Sequence, residues 1–428
     1  MNFKESAKIM QNYLEKFYPL QRMFNSPGID QTFKTLKEDI EDIKIHEYKA
    51  GLTCEDWTVP YNWEMLYGVM KDENGNIIVS SNDNILFVSA FSESVSGWFS
   101  KNEIQKHCLI HPRLNDVFMF QHRLAFNFDK KDWGISMPRN IFDHLDNSKK
   151  YFIDIKVKKK NTPMKVAEWF IQGKSNNIIC IAAHIDEQLC NDDLTGCVVG
   201  LELMKYINKL KNRKYSYQLL LFPETIGSFI YMYHNEQKIK QINCMLNLEM
   251  LGAGETLSLK HSMDKTSYFD MILKLSIQQE TNEYKELDFF EGYENDERSF
   301  AWPTFGITGV GIQRHPFKYY HTHKDNPDII KSEYLIEGLK ISKNFIDILE
   351  SDYIPIFTYK IPPKLSKHNL YYDSIEDPLK FQKFNNHLLF NINGKNKISD
   401  LAEKIGLSYW EVYDYLENFV NLNLIKRI

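Results

Sequence analysis

The segment Asn177–Gly196, NIICIAAHIDEQLCNDDLTG, decides how the chain is read. Its first seven residues, Asn177–Ala183, form a nearly unbroken apolar run, the texture of a strand covered on both faces in a parallel sheet. His184 stands where that strand ends, and an acidic loop then leads into a helical pattern over 196–210. In an open α/β sheet, a loop in this position lies at the carboxyl edge of the strands, where ligands bind.

The same unit recurs downstream. Apolar runs at Gln218–Phe222, Cys244–Leu248 and Gly306–Ile312 are predicted strands, and helical patterns fall at 226–240, 265–280 and 331–349. Their alternation predicts an α/β fold with a mostly parallel sheet flanked by helices. Upstream, helices are predicted over 3–17 and 30–43, separated by a turn at Asn25–Gly28. Between them and the sheet the texture changes to short runs: WTVP (57–60), YGVM (67–70), NIIVS (76–80), NILFVSAF (84–91) and VFMFQHRLAF (117–126). These are predicted strands of a small β-rich module, with a hairpin turn at Asp72–Asn76. Pro355, Pro362 and Pro363 mark a linker. The expected domains are therefore an α/β catalytic domain from 1–48 and 135–355, an inserted small β domain over 49–134, and a linker with a helical module over 356–428.

At 428 residues the chain exceeds what one core organises. A net charge of −5 gives no general attraction to nucleic acid or anionic membranes. No stretch approaches the roughly 20 apolar residues that a membrane span requires. The N-terminal MNFKESAKIMQNYLEKFYPL carries charges throughout and lacks the apolar core of a secretion signal. The six cysteines form no CxxC pair or regular spacing, as expected for free thiols in a reducing compartment, so a cytoplasmic location is expected.

Metal-competent residues fall at strand ends. His184 follows IICIAA, Glu224 follows LLLFP, Glu249 closes MLNL, and His321 comes a short loop after GITGVGI. Asp192 lies in the loop after His184, 32 residues before Glu224, about one strand–helix–strand unit. Each of these alone is ordinary loop material, and Asn191-Asp192-Asp193 also suits a helix N-cap. Together, two histidines and three carboxylates on one sheet edge suit one or two zinc ions, with manganese or cobalt as alternatives. A shared carboxylate can bridge two ions about 3.5–4 Å apart, the arrangement of metal-assisted hydrolysis. Asp186 is placed to orient the His184 imidazole from behind. Asp296-Glu297-Arg298 reads either as a surface ion-pair loop or as a substrate pocket, with Arg298 for a carboxylate or oxyanion and Glu297 for an amino group. Tyr320, beside His321, is placed to donate a hydrogen bond to a tetrahedral intermediate.

Four segments carry a family resemblance: AAHIDEQLCNDDLTG (182–196), LLLFPETIGSFIY (219–231), NLEMLG (247–252) and YYHTHKDNPDII (319–330). They resemble the clan of zinc aminopeptidases that includes bacterial leucine aminopeptidase and the glutaminyl cyclases. The resemblance implies that His184 and Glu249 hold one zinc, Glu224 and His321 the other, with Asp192 bridging and Asp186 orienting His184. FYPLQRMFNSPGIDQTF (17–33), DWTVPYNWEM (56–65), VSGWFSKNEI (95–104), PETIGS (223–228) and NDERSF (295–300) are similar to a bacterial aminopeptidase-like group. That group combines this catalytic domain with an inserted β-rich domain and a C-terminal winged helix. The chain departs from the pattern at three points. Pro223-Glu224-Thr225 has one glutamate where the clan has a pair, leaving Glu224 as either base or ligand. Glu249 replaces an aspartate, and Asp186-Glu187 stands where the close group has a second histidine. A single-zinc site on Asp192, Glu224 and His321 therefore stays open.

The implied activity is zinc-dependent cleavage of an amide or peptide bond near a free amine. The alternatives are deacylation of an amino sugar or small metabolite, aminoacyl cyclisation, and a catalytically degenerate metal-binding scaffold. The expected substrate is a peptide or small amide. Neither nucleic acid nor membrane is an expected partner. The last predicted helix of the C-terminal module, Tyr409–Phe419, is acidic through Glu411, Asp414 and Glu417, unlike a DNA-reading helix. Its Tyr409, Trp410, Tyr413 and Leu416 suit a protein contact, so homo-oligomerisation through this module is expected instead.

Overall fold

The computed structural model describes residues 1–428. The chain divides into two compact units, one of Met1–Met263 with Lys285–Leu339 and one of Asp264–Tyr284 with Lys340–Ile428. The first unit is built on an eight-stranded sheet: β1 (Ile43–Tyr48), β2 (Met164–Ile171), β3 (Ile178–His184), β4 (Ser216–Phe222), β5 (Ile242–Glu249), β6 (Thr256–Lys260), β7 (Lys285–Leu287) and β8 (Thr308–His315). The strand order is β1-β2-β4-β3-β5-β8-β6-β7. The four central strands β4, β3, β5 and β8 run parallel. Strands β1 and β2 extend one side antiparallel, and β6 pairs antiparallel with β8 on the other. Every residue of β3 and β4 is buried, which is what their unbroken apolar runs require of strands covered on both faces. This is a mixed α/β fold with a large, mostly parallel central sheet flanked by helices.

Helix α1 (Phe3–Phe17) packs on α3 (Leu194–Lys209), which lies over β3, β4 and β5, while α4 (Ile226–His234) lies against β2. Helix α2 (Pro27–Asp39) starts three residues earlier than expected: Ser26 caps it by accepting from the Ile29 N–H, and Pro27 needs no hydrogen-bond partner in the first turn. At the start of α3, Asp193 is the N-cap, accepting from the Gly196 N–H at 3.0 Å, and the same oxygen accepts from the Met250 N–H at 3.0 Å. A Cβ on Gly196 would sit 2.1 Å from the Leu248 carbonyl oxygen, so only glycine lets the helix approach β5 this closely.

The β-rich segment forms a four-stranded sheet in the order Ile77–Ser80, Asn62–Lys71, Lys150–Lys160, Val95–Ser100. One of its two central strands lies beyond residue 134. Its buried side chains, such as Trp63, Phe87 and Ile153, belong to one continuous core with Ile178, Leu220 and Phe222 of the large sheet. Two expected strands are absent. Ile85–Phe87 is a 3₁₀ turn, and 117–126 contributes only an isolated bridge between Met119 and Thr322. Both runs are apolar because Phe87, Phe118 and Phe120 are buried, and burial alone does not distinguish a strand from packed irregular chain.

The second unit contains helices Tyr268–Gln278, Ile398–Ile405 and Tyr409–Asn421, and a strand Ile425–Arg427 paired antiparallel with Pro355–Phe357. Tyr409 and Leu416, expected at a protein contact, are fully buried, leaving Trp410 and Tyr413 partly exposed. No helix of the chain is long and apolar enough to cross a membrane.

Two buried charges hold the first unit in register. Arg22, between α1 and α2, is 0% exposed and donates to the carbonyls of Phe17 (2.6 Å), Ile185 (3.2 Å), Leu189 (2.8 Å) and Glu187. It clamps the loop after β3, and burial pulls its pKa down to about 10. Glu168 of β2 accepts from His46 of β1 at 2.6 Å, from Gln218 of β4 at 2.9 Å, and from Lys238. Burial pushes the Glu168 carboxyl up, but the hydrogen bonds from His46 and Lys238 and the Lys238 charge bring it down to about 2.

Arg22→Met leaves four buried carbonyls without their donor, so a loss of at least about 3 kcal/mol is expected in denaturant unfolding. Because the Glu168 pKa is depressed on folding, its contribution is present above the unfolded value near 4.5 and is lost as pH falls through about 2. That contribution is on the order of 3 kcal/mol. Glu168→Gln is expected to lower stability at neutral pH and to flatten this acid limb, as measured by thermal unfolding across pH.

Candidate metal centre

Strands β3 and β5 are parallel neighbours, so their last residues, His184 and Glu249, emerge together at the carboxyl edge of the sheet. The loop after β3 folds back over this edge, where its backbone is fixed by side chains. Asp325 accepts from the N–H groups of Cys190 (3.2 Å), Asn191 (2.6 Å) and Asp192 (3.1 Å). The Asn191 carboxamide accepts from Gly252 and Ala253 at 2.9 Å each and donates to the Ala253 carbonyl. Asp192 is thereby aimed across the site. Its Oδ1 lies 3.3 Å from His184 Nε2 and its Oδ2 lies 3.4 Å from His321 Nε2.

Around this carboxylate the other groups sort into two sides. His184 Nε2 also lies 3.6 Å from Glu249 Oε1, and Asp186 Oδ1 lies 3.6 Å from His184 Nδ1. On the other side, His321 Nε2 lies 3.7 Å from Glu187 Oε1, which itself pairs at 2.7 Å with His122 Nε2. Glu224 Oε2 lies 3.2 Å from His122 Nε2, and the Glu224 N–H donates to Asp186 at 2.8 Å. Tyr320 stacks on the His321 ring with centroids 3.9 Å apart. The fold thus brings together His184, Asp186, Asp192, Glu224, Glu249, His321 and Tyr320. Glu297 and Arg298 are placed differently. Glu297 is buried and engaged by Lys260 at 2.5 Å and by Asn247 at 3.2 Å. Arg298 makes an exposed ion pair with Glu294 at 2.6 Å. The Arg298 pairing matches the surface ion-pair reading of this loop, while Glu297 is turned into the interior.

Sequence reasoning missed His122, Glu187, Asn295 and Asp325. Glu187 lay inside the quoted segment, three residues after His184. His122 was visible only as a polar residue inside an apolar run, with nothing to tie it to residues some 60 positions away. Asn295 donates to Glu249 Oε2 and holds that carboxylate in place.

The electrostatics are lopsided. Asp186, Glu187, Asp192, Asp193, Glu224 and Glu249 face three imidazoles, with the Arg22 guanidinium within electrostatic reach of Asp186 and Glu187. Burial, followed by neighbouring negative charge, pushes Glu187 and Asp193 up; burial also raises Glu224 and Glu249, against the opposing charge of His184. Burial opposes charge on His184, but Glu249, Asp186 and Asp192 hold its pKa well above the usual value. Burial holds His122 down at about 4. His184 Nδ1, Asp186 Oδ2, Glu187 Oε2 and Asp193 Oδ2 are buried without a hydrogen-bond partner. Thr225, Met250 and His321 have positive φ, of 61°, 48° and 53°, each at or next to a site residue. Thr225, with ψ of −65°, centres a tight turn in which the Ile226 N–H donates to the Glu224 carbonyl at 2.6 Å, a strained backbone that costs about 1–3 kcal/mol and is of the kind that gathers at functional sites. A deficit of positive charge, unpartnered donors and mixed imidazole–carboxylate chemistry all fit a bound divalent cation, zinc in particular.

Comparison with known proteins agrees with this fold. A Clostridium acetobutylicum protein, whose name couples polysaccharide biosynthesis with an aminopeptidase-like domain, is 26% identical over 100% of this chain and 98% of its own length. A crystal structure of a protein from Clostridium acetobutylicum, provisionally named a peptidase, superposes with a TM-score of 0.86 at 25% identity, covering 100% of this chain and 98% of that one. A zinc aminopeptidase from Bacillus subtilis shares the fold with a TM-score of 0.59 at 15% identity, over 79% of this chain and 94% of that one. Residues 11–352 match the family described as "Domain of unknown function (DUF4910)", and the chain belongs to that family.

Proposed function

We propose that the chain is a zinc-dependent, aminopeptidase-like hydrolase that cleaves an amide or peptide bond. The observation that carries this reading is the Asp192 carboxylate, buried and presenting one oxygen to His184 and the other to His321. His184, Asp192, Glu249 and His321 are the residues that would hold zinc, with Glu224 beside them. Bound zinc would lower the pKa of a water to about 7 and polarise a carbonyl.

The chain's own groups supply the rest. Asp186, with Oδ1 3.6 Å from His184 Nδ1, stands behind that imidazole and would orient it once the ring binds metal. Glu224, 17% exposed, is open to solvent where Asp192 and Glu249 are closed off, and so can carry a proton from water to a leaving amine. Tyr320 stacks on the His321 ring, and its phenol is a hydrogen-bond donor for a developing oxyanion. The substrate would be a peptide or small amide. A second reading, deacylation of an N-acyl amino sugar at the same centre, is favoured by the polysaccharide-biosynthesis name of the Clostridium acetobutylicum relative. The acidic third helix speaks against DNA as a partner of the C-terminal unit, and self-association through that unit is the alternative we favour.

Elemental analysis of purified protein is expected to find bound zinc that a chelator removes together with hydrolysis of aminoacyl-anilides. His184→Ala and Asp192→Ala are each expected to lower turnover by more than about 100-fold. Protein that holds no zinc, with both variants behaving like the parent, would contradict the proposal. Parallel assays on aminoacyl-anilides and N-acetylated amino sugars separate the two substrate classes.

A further inference from the structure

We infer that His122, delivered by the β-rich segment, and Glu187 complete a second metal position with His321 and Asp192, leaving Glu224 as the general base. This rests on the zinc-hydrolase reading above.

The two sides of Asp192 differ in their partners. The Oδ1 side already has His184, whose Nε2 lies 3.3 Å from Asp192 Oδ1 and 3.6 Å from Glu249 Oε1. On the Oδ2 side, Glu187 Oε1 is the carboxylate oxygen within ion-pair reach of His321 besides Asp192, and His122 lies against that same oxygen at 2.7 Å. Donors bound tetrahedrally at about 2.0–2.1 Å stand about 3.3 Å apart. The separations of 3.4 and 3.7 Å around His321 are close to that value, while the 2.7 Å between His122 and Glu187 is a hydrogen-bond distance that a shared ion would lengthen. Glu187 is 2% exposed, and its second oxygen has no hydrogen-bond partner. His122 is held by Phe24, stacked at 5.2 Å, and by the edge of Phe120 at 4.8 Å. The segment carrying it is tied to the other ligand loop, since the Phe120 N–H donates to the His321 carbonyl at 2.9 Å.

Glu224 also lies within reach of His122 and Glu187, its Oε2 3.2 Å from His122 Nε2, but it pairs with neither His321 nor Asp192 and is more exposed than Glu187, which suits it to the part of the base. In the hydrolytic step, the water oxygen bonds to the carbonyl carbon while one water proton passes to Glu224 Oε2. The C–N bond then breaks, and that proton goes to the departing nitrogen, releasing an acid and an amine.

The test is zinc stoichiometry on the full chain, read by elemental analysis after dialysis, with cobalt(II) absorption as a second readout. His122→Gln and Glu187→Gln are used because each keeps the size of the side chain, and either one suffices if the other fails to fold. The wild type is expected to hold two ions, the two variants one ion and an altered cobalt spectrum. Glu224→Gln is expected to keep both ions and to lose turnover of an aminoacyl-anilide by about 100- to 10,000-fold. Stoichiometry and cobalt spectrum unchanged in both His122→Gln and Glu187→Gln would overturn the inference while leaving the hydrolase reading intact, as would loss of an ion in Glu224→Gln. A wild-type chain without zinc overturns the hydrolase reading and this one with it.

Discussion

Six carboxylates gathered at one edge of a sheet, largely out of water, repel one another and lose hydration at the same time. Three imidazoles do not balance them. Asp192 is the centre of this arrangement, with His184 on one oxygen and His321 on the other. Much of the surrounding structure serves to keep it there. Asp325 receives three successive N–H groups of its loop, Asn191 ties that loop to the segment after β5, and Arg22 binds the carbonyls just upstream. Such over-determined backbone is what a buried cluster of like charges needs, because a looser loop would let the carboxylates turn toward solvent.

The parallel sheet makes the cluster possible. Strands β3, β4 and β5 end side by side, so residues far apart in sequence arrive at one edge without any long-range loop having to find them. The β-rich segment adds to that edge from outside. It shares its core with the large sheet, and its 117–126 stretch pairs with the loop that holds His321. His122, supplied from this segment, ties the carboxylate cluster to the docking of the segment itself.

The sheet, its flanking helices and the residues at strand ends were legible because periodicity and strand ends are local signals. His184, Asp192, Glu224, Glu249 and His321 could be selected from texture alone, and the fold brings them to one place. Glu187 was adjacent in sequence but looked like loop charge beside Asp186. His122 and Arg22 were not legible, because each acts on chain about 60 or 160 residues away and no periodic pattern encodes such a contact. The same limit explains why NILFVSAF and VFMFQHRLAF read as strands: their apolar residues report burial, while their hydrogen bonds are decided by distant loops. For Asp296-Glu297-Arg298 the sequence leaves a surface ion pair and a substrate pocket open, because the partners Lys260 and Glu294 are not distinguishable from pattern alone.

Anomalous diffraction at the zinc edge, from crystals grown with zinc present, tests the central claim most directly. Strong anomalous density is expected beside Asp192, near the imidazoles of His184 and His321. Well-ordered density for these side chains with no anomalous signal within bonding distance of Asp192 would contradict it.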